Sequence, residues 1–272
     1  YKGPRISEAV SIGSDIRYRV GEEGQVDRFQ TDFYLAVEPF SQTFFNMTFN
    51  SGSIDESYLL VTNGARSLYA QAGRFYPQFG LRLEDFSYFV KQRTGIFHRK
   101  ALEGMSIGAS LANSNLSLAY YAEGEQGIYI ANLYGARFVG RFGYIAGFSA
   151  RFSQELDDGT HGANFAVKGA YAGVGYRGHS ILFEGDLIGE ANDSYAIYVG
   201  GTGRIIPGLY VKADYNFFDP DRRLESGAES FTRVSVEFWP MPFVEINPGV
   251  TFFTDGPFDG EEEFELRVHL AY

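Results

Sequence analysis

Apolar and polar residues alternate along most of this chain. Val10, Ile12, Ile16, Tyr18 and Val20 are interleaved with Ser11, Gly13, Asp15, Arg17 and Arg19. Similar alternation runs through residues 29–37, 45–49, 105–111, 116–120, 144–152 and 209–217. A side-chain period of two is that of a strand with one apolar and one polar face. No stretch with a helical period competes. The connections fall into two classes. Short turns are read at 38–41, 76–79, 112–115, 139–142, 176–179, 206–208 and 239–242. Longer polar loops are read at 21–28, 50–66, 91–100, 122–128, 153–163, 188–194, 218–229 and 253–262. The two classes alternate, which predicts about sixteen antiparallel strands, with fourteen as the alternative, in one domain over 1–272. Both ends of the chain then lie on the short-turn side. Two segments fit poorly. Residues 80–90 alternate weakly and read either as a strand or as a segment inside the barrel. Residues 165–176 change apolar face midway, which predicts a bulge.

Strands with one apolar face suit either a soluble sandwich or a barrel in lipid. So many amphipathic strands cannot all hide their apolar faces in one sandwich core. Aromatic residues cluster at strand ends: Phe40, Phe44, Tyr76, Phe79, Phe142, Tyr144, Tyr176, Trp239 and Phe243 beside short turns, and Phe29, Tyr129, Phe152, Phe165, Phe217, Phe252 and Phe264 beside long loops. Two such belts suit the two interfaces of a membrane. No run approaches the roughly 18 apolar residues of a spanning helix. The expected fold is therefore an all-β, transmembrane, antiparallel up-and-down barrel.

The remaining composition narrows the chemistry. There is no cysteine, hence no disulfide, thiolate metal site or covalently attached haem. The net charge of -11 argues against nucleic acid as a partner. The opening YKGPRISEAV has no charged region followed by an apolar run, so a signal peptide is expected to have been removed or never to have stood there.

The segment EEEFELRVHLAY places Phe264, Leu266, Val268, Leu270 and Tyr272 on one strand face. It resembles the closing strand of Gram-negative outer-membrane barrels, which carries alternating apolar residues and a terminal aromatic. The resemblance implies recognition by the barrel assembly machinery of that membrane, contact with outer-membrane lipid, long loops outside and termini in the periplasm. Across the whole chain the pattern resembles porin-like barrels.

Charged residues within strands must face inward, because a charge on the lipid face costs about 2–4 kcal/mol near the midplane. The candidate lumenal bases are Arg17, Arg19, Arg74, Arg82, Arg151, Lys168 and Lys212. The candidate acids are Asp32, Glu84, Glu184, Asp186, Asp214, Glu245 and Glu265. They read equally as salt bridges bracing the wall or as fixed charges biasing solutes in a wet pore. Most long loops are acidic. One, KQRTGIFHRK at 91–100, carries Lys91, Arg93, Arg99 and Lys100 and no acid. It is the third long loop, and in porins the third external loop often folds inward. The resemblance implies a basic constriction with some preference for anions.

Catalysis is not expected. His161 follows Asp157 and Asp158 on one loop, loosely similar to the acid and His groups of barrel proteases, but a single loop does not preorganise a site. A structural role is the alternative. GRFYPQFGLRLEDF at 73–86 resembles segments in barrels found beside multihaem cytochromes, which implies a sleeve or docking ring for a partner. The leading expectation is passive diffusion of small hydrophilic solutes through a porin-like channel that needs no cofactor. A homo-oligomer, or a partner protein in the lumen or at the rim, stays open.

Overall fold

The structure is a computed structural model; it describes all residues except 1–9, 21–25, 51–52, 82, 84–87, 97–99, 125, 156–164, 190–193, 225–226 and 272. Among the described residues sixteen strands follow in order. They are β1 (Val10–Val20), β2 (Val26–Phe40), β3 (Thr43–Asn50), β4 (Ser53–Thr62), β5 (Leu68–Phe75), β6 (Leu102–Leu111), β7 (Ser114–Glu123) and β8 (Gln126–Val139). Then come β9 (Phe142–Glu155), β10 (Phe165–Tyr176), β11 (His179–Ile188), β12 (Ser194–Ile206), β13 (Leu209–Asp219), β14 (Glu229–Met241), β15 (Val244–Asp255) and β16 (Glu262–Ala271). Each pairs antiparallel with its chain neighbour, and β1 pairs with β16, Arg17 opposite His269 and Val20 opposite Leu266. Closure leaves no sheet edge, so each strand finds backbone partners on both sides, as a hydrocarbon environment demands.

Alternation sorts the side chains between two solvents. Ile12, Phe33, Leu59, Ile107, Leu118, Leu133, Phe148, Ile181 and Phe264 are exposed on the outer wall. A continuous apolar surface of this extent is a liability in water and a requirement in lipid. Asp15, Asp32, Ser117, Asn132, Ser149, Glu184, Asp214, Asn247 and Glu265 are buried on the inner face.

The strand number matches the sequence reading, but two strands differ from it. Residues 50–66, read as one long loop, contain β4. The register between β3 and β4 shifts at Thr48/Phe49, where Asp55 is the extra residue, and this bulge breaks the period-two pattern. The described residues among 80–90 belong to no strand. From Tyr76 to Ala101 the chain forms one long connection between β5 and β6, including a single helical turn, α1 (Phe89–Gln92). The short turn read at 76–79 is thus the start of this connection. The bulge expected in 165–176 is absent, since β10 keeps register with both neighbours throughout. The apolar face switches in sequence only because β10 has apolar residues on both faces: Val167 and Tyr171 are buried inside, while Val174 and Tyr176 are exposed outside.

That interior packing defines the core. Phe75, Phe79, Leu81, Leu83, Phe89, Val90 and Ile96 pack inside the barrel against Tyr121, Ile128, Ile130, Val167, Tyr171, Ile188, Tyr198, Phe218 and Phe231 of the wall. The hydrophobic core is therefore the contact between the 76–101 insert and the barrel that encloses it.

Candidate functional site

The insert reaches into the lumen because its apolar residues have nowhere else to go. It is then pinned by polar contacts around much of the wall. At its start, the Tyr76 hydroxyl donates to Asp55, and the Tyr76 N–H donates to Glu56 Oε1 at 3.3 Å, both on β4. Next, the Gly80 N–H donates to Ser149 Oγ on β9 at 2.8 Å. Gly80 has φ +60, and a Cβ there would fall 1.7 Å from Glu184 Oε1. Only glycine lets the backbone approach this carboxylate with that turn.

Glu184 on β11 is the centre of the attachment. Its carboxylate accepts Lys91 Nζ at 2.9 and 3.0 Å and the Leu81 N–H at 3.1 Å. The two side chains are 3% and 0% exposed, so this is a fully buried ion pair. Such a pair adds little net stability over an apolar pair, but it penalises any arrangement that separates the charges. Further along, the Tyr88 hydroxyl donates to Asp214 Oδ2 at 2.9 Å, and the Tyr198 hydroxyl donates to Asp214 Oδ1 at 2.8 Å. Arg151 Nη1 donates to the Thr94 carbonyl. Arg93 makes a bidentate contact with Glu229 at 2.8 and 2.9 Å and lies 4.4 Å above the Phe218 ring. Lys100 pairs with Glu123. These contacts run over β4, β7, β9, β11, β13 and β14.

A different inner surface lies across β13–β16, β1 and β2. There Glu265 gathers three guanidinium groups: Arg267 at 2.9 Å, Arg19 at 3.7 Å, and Arg233. Arg19 also approaches Glu263 at 3.6 Å, and Arg17 meets Asp15 at 3.0 Å. His269 lies 2.6 Å from Asp15 and 3.2 Å from Glu245, and Lys212 pairs with Glu237. The side chains of Arg17, Arg19 and Arg267 remain 25–31% exposed although they point into the barrel. This ladder therefore borders solvent. Among the described residues, Arg17, Arg19, Lys212, Arg233 and Arg267 each pair with a carboxylate, of Asp15, Glu263, Glu265 or Glu237.

The candidates read from sequence divide accordingly. Arg17, Arg19, Asp32, Lys212, Glu245 and Glu265 fall on the ladder side. Arg151, Glu184, Asp186 and Asp214 face the insert. Asp186 is 1% exposed, and neither of its oxygens has a hydrogen-bond donor among the described residues. Two candidates are corrected. Arg74 shares outward parity with Leu68, Ala70 and Ala72, and is exposed. Lys168 pairs in register with Ala150 and is exposed on the outward face of β10. Both stand near the long-loop ends of their strands, where a long side chain can carry its charge out of the apolar band. Of the basic loop, Lys91, Arg93 and Lys100 are each matched by a wall carboxylate, so at these positions the loop presents paired rather than unopposed positive charge. Arg82, Glu84, Arg99, Tyr272, Asp157, Asp158 and His161 lie outside the described residues. Phe264, Leu266, Val268 and Leu270 have outward parity on β16, as the closing-strand pattern requires. Phe44, Tyr76, Phe79 and Trp239, expected in the aromatic belts, belong to the interior: Phe79 is buried in the core, and Trp239 packs edge-on against His269. Arg267 and His269 fall on the polar face of the closing strand in sequence, opposite Phe264–Leu270, and do face the lumen. Sequence reasoning missed Arg233, Glu237 and Glu263, for which inward parity on β14 and β16 was the available signal.

No family model matches the chain, and no curated protein does. Solved structures do match. An outer-membrane protein OmpT of Vibrio cholerae aligns over 98% of this chain and 99% of its own, with TM-score 0.69 and 13% identity. OprB of Pseudomonas putida aligns over 97% and 93%, with TM-score 0.70 and 8% identity. The chain has the fold of a porin-like outer-membrane barrel. The outer-membrane channel DcaP of Acinetobacter baumannii is also similar, over 100% of both chains, with TM-score 0.59 and 13% identity. At these identities the likeness concerns the fold, and the solute path has to be argued from this chain's own lumen.

Proposed function

We propose that this chain is a narrow outer-membrane channel for passive diffusion of small hydrophilic solutes or ions, resident in the bacterial outer membrane with its long loops outside and its termini in the periplasm. The observation that carries the reading is the ladder on β13–β16, β1 and β2. Arg17, Arg19 and Arg267 point into a closed barrel and still keep 25–31% of their side-chain surface accessible, whereas Arg233 behind them is buried. The insert narrows the path from the opposite side. Transport then needs no cofactor and no catalytic group: a hydrated gap sets the size limit, and fixed charges set the field. Outer-membrane lipid meets the outer wall, and the assembly machinery reads the β16 face.

The pairing of the ladder's arginines and lysine with carboxylates supports weak discrimination between ions, in place of the anion preference suggested by the basic loop. The insert also weighs against the sleeve reading, because a protein threaded through the lumen would have to displace buried Phe79, Phe89 and Val90. Single-channel recording of the purified chain in a planar bilayer, under a KCl gradient, tests the proposal. Steady small openings with a reversal potential close to zero are expected. A lack of any conductance would reject the channel, and a strong preference for one sign of ion would reject the charge-paired ladder as its lining.

A further inference from the structure

Between the insert and the wall of β4, β5 and β7–β10 lies a cavity of about 640 Å³. That is within the roughly 300–1,000 Å³ of ordinary small-molecule sites. Its lining reaches Thr62 and Arg66 beside one short turn and Asn115 beside another, so it lies toward the short-turn rim, below the roof made by Phe75, Phe79 and Leu81.

The chemistry of the lining is specific. Tyr58, Tyr69, Tyr134 and Tyr171 contribute aromatic faces with hydroxyl tips. Gln71, Gln78, Asn115 and Asn132 contribute neutral amides. Several of these groups are held in place. Asn132 Oδ1 accepts the hydroxyls of Ser149 at 2.8 Å and Tyr171 at 2.9 Å, and Asn115 Nδ2 donates to Ser110 Oγ at 2.8 Å. The ionisable groups at the margin show no excess of one sign: Lys91 pairs with Glu184, while Glu56, which accepts the Tyr76 N–H, and Arg66, 5.6 Å from the Phe44 ring, carry opposite charges. A charged solute in this cavity would lose water and meet one fixed charge of each sign at the margin, Glu56 and Arg66, with little net gain. A neutral solute with alternating C–H and hydroxyl faces would gain ring contact for the first and amide and phenol partners for the second.

We infer that this cavity is a binding vestibule for neutral polyhydroxylated solutes of mono- or disaccharide size. The inference deepens the channel reading and rests on it for its physiological meaning, although binding can be measured without conduction. The test is isothermal titration of glucose and maltose into the full chain in detergent, with gluconate and glucosamine as charged comparators bearing similar hydroxyls. Saturable binding of a neutral sugar is expected, with the charged comparators weaker. Tyr134→Ala should weaken sugar binding about tenfold, the loss of one aromatic contact with its hydroxyl. Should that variant fail to fold, Gln71→Leu carries the same expectation. Absence of saturable sugar binding, equal binding of the charged comparators, or sugar binding unchanged in both variants would each overturn the assignment. Because the readout uses no current, a silent channel would reject the transport reading and leave this result standing or falling separately.

Discussion

Lys91 and Glu184 show how one buried pair can position a whole segment. Neither charge touches water, and the Gly80–Leu81 backbone closes over the carboxylate. Lys91→Met leaves Glu184 buried without its counter-charge, which is expected to cost about 3–5 kcal/mol. Urea unfolding of the vesicle-reconstituted barrel reads this as a lowered midpoint. The double change Lys91→Met with Glu184→Leu should recover most of the loss, since an apolar pair of similar volume tolerates the dry site. A single variant as stable as the parent would mean that the pair does not hold the insert. Sequence showed the two residues as inward candidates, but not as partners. They stand 93 positions apart, and their meeting depends on a connection whose path has no period to read.

Among the elements, regular strands were legible and irregular ones were not. β1, β9, β13 and β16 announce themselves because lipid on one side and polar groups on the other enforce strict alternation. β4 was hidden by the bulge at Asp55, which shifts the parity of its first residues. β10 misled for a different reason: the insert makes the inner face there apolar, so Val167 and Tyr171 look like lipid-facing residues, and Lys168 looks lumenal. Arg74 misled in the same way, its charge being accommodated at a strand end. The rule that charges face inward holds near the middle of a strand and weakens at its ends. β16 offers a test of facing. Val268 lies outward, opposite Ile246, whereas His269 points inward to Asp15 and Glu245. Val268→Lys is expected to destabilise the barrel by about 2–4 kcal/mol in the same unfolding assay. His269→Lys, which places a cation between two carboxylates, should cost clearly less. The opposite ranking would mean that the β16 faces are assigned the wrong way round.

At the scale of the molecule, the barrel is a lipid-facing wall that encloses its own hydrophobic core. A closed sheet of this strand number leaves more interior than side chains alone can fill. Here the 76–101 insert takes up one side of that space. The charged ladder on β13–β16, β1 and β2 keeps the other side wet, and the vestibule lies beneath the insert. In the proposed channel the insert is therefore the element that sets the width of the path. The direct measurement is single-channel conductance of the parent chain beside a variant in which residues 78–98 are replaced by a short Gly-Ser linker, with barrel folding confirmed by circular dichroism. A conductance several-fold larger in the variant is expected. An unchanged conductance in a folded barrel would contradict this, because the path would then run where the insert has no part in it.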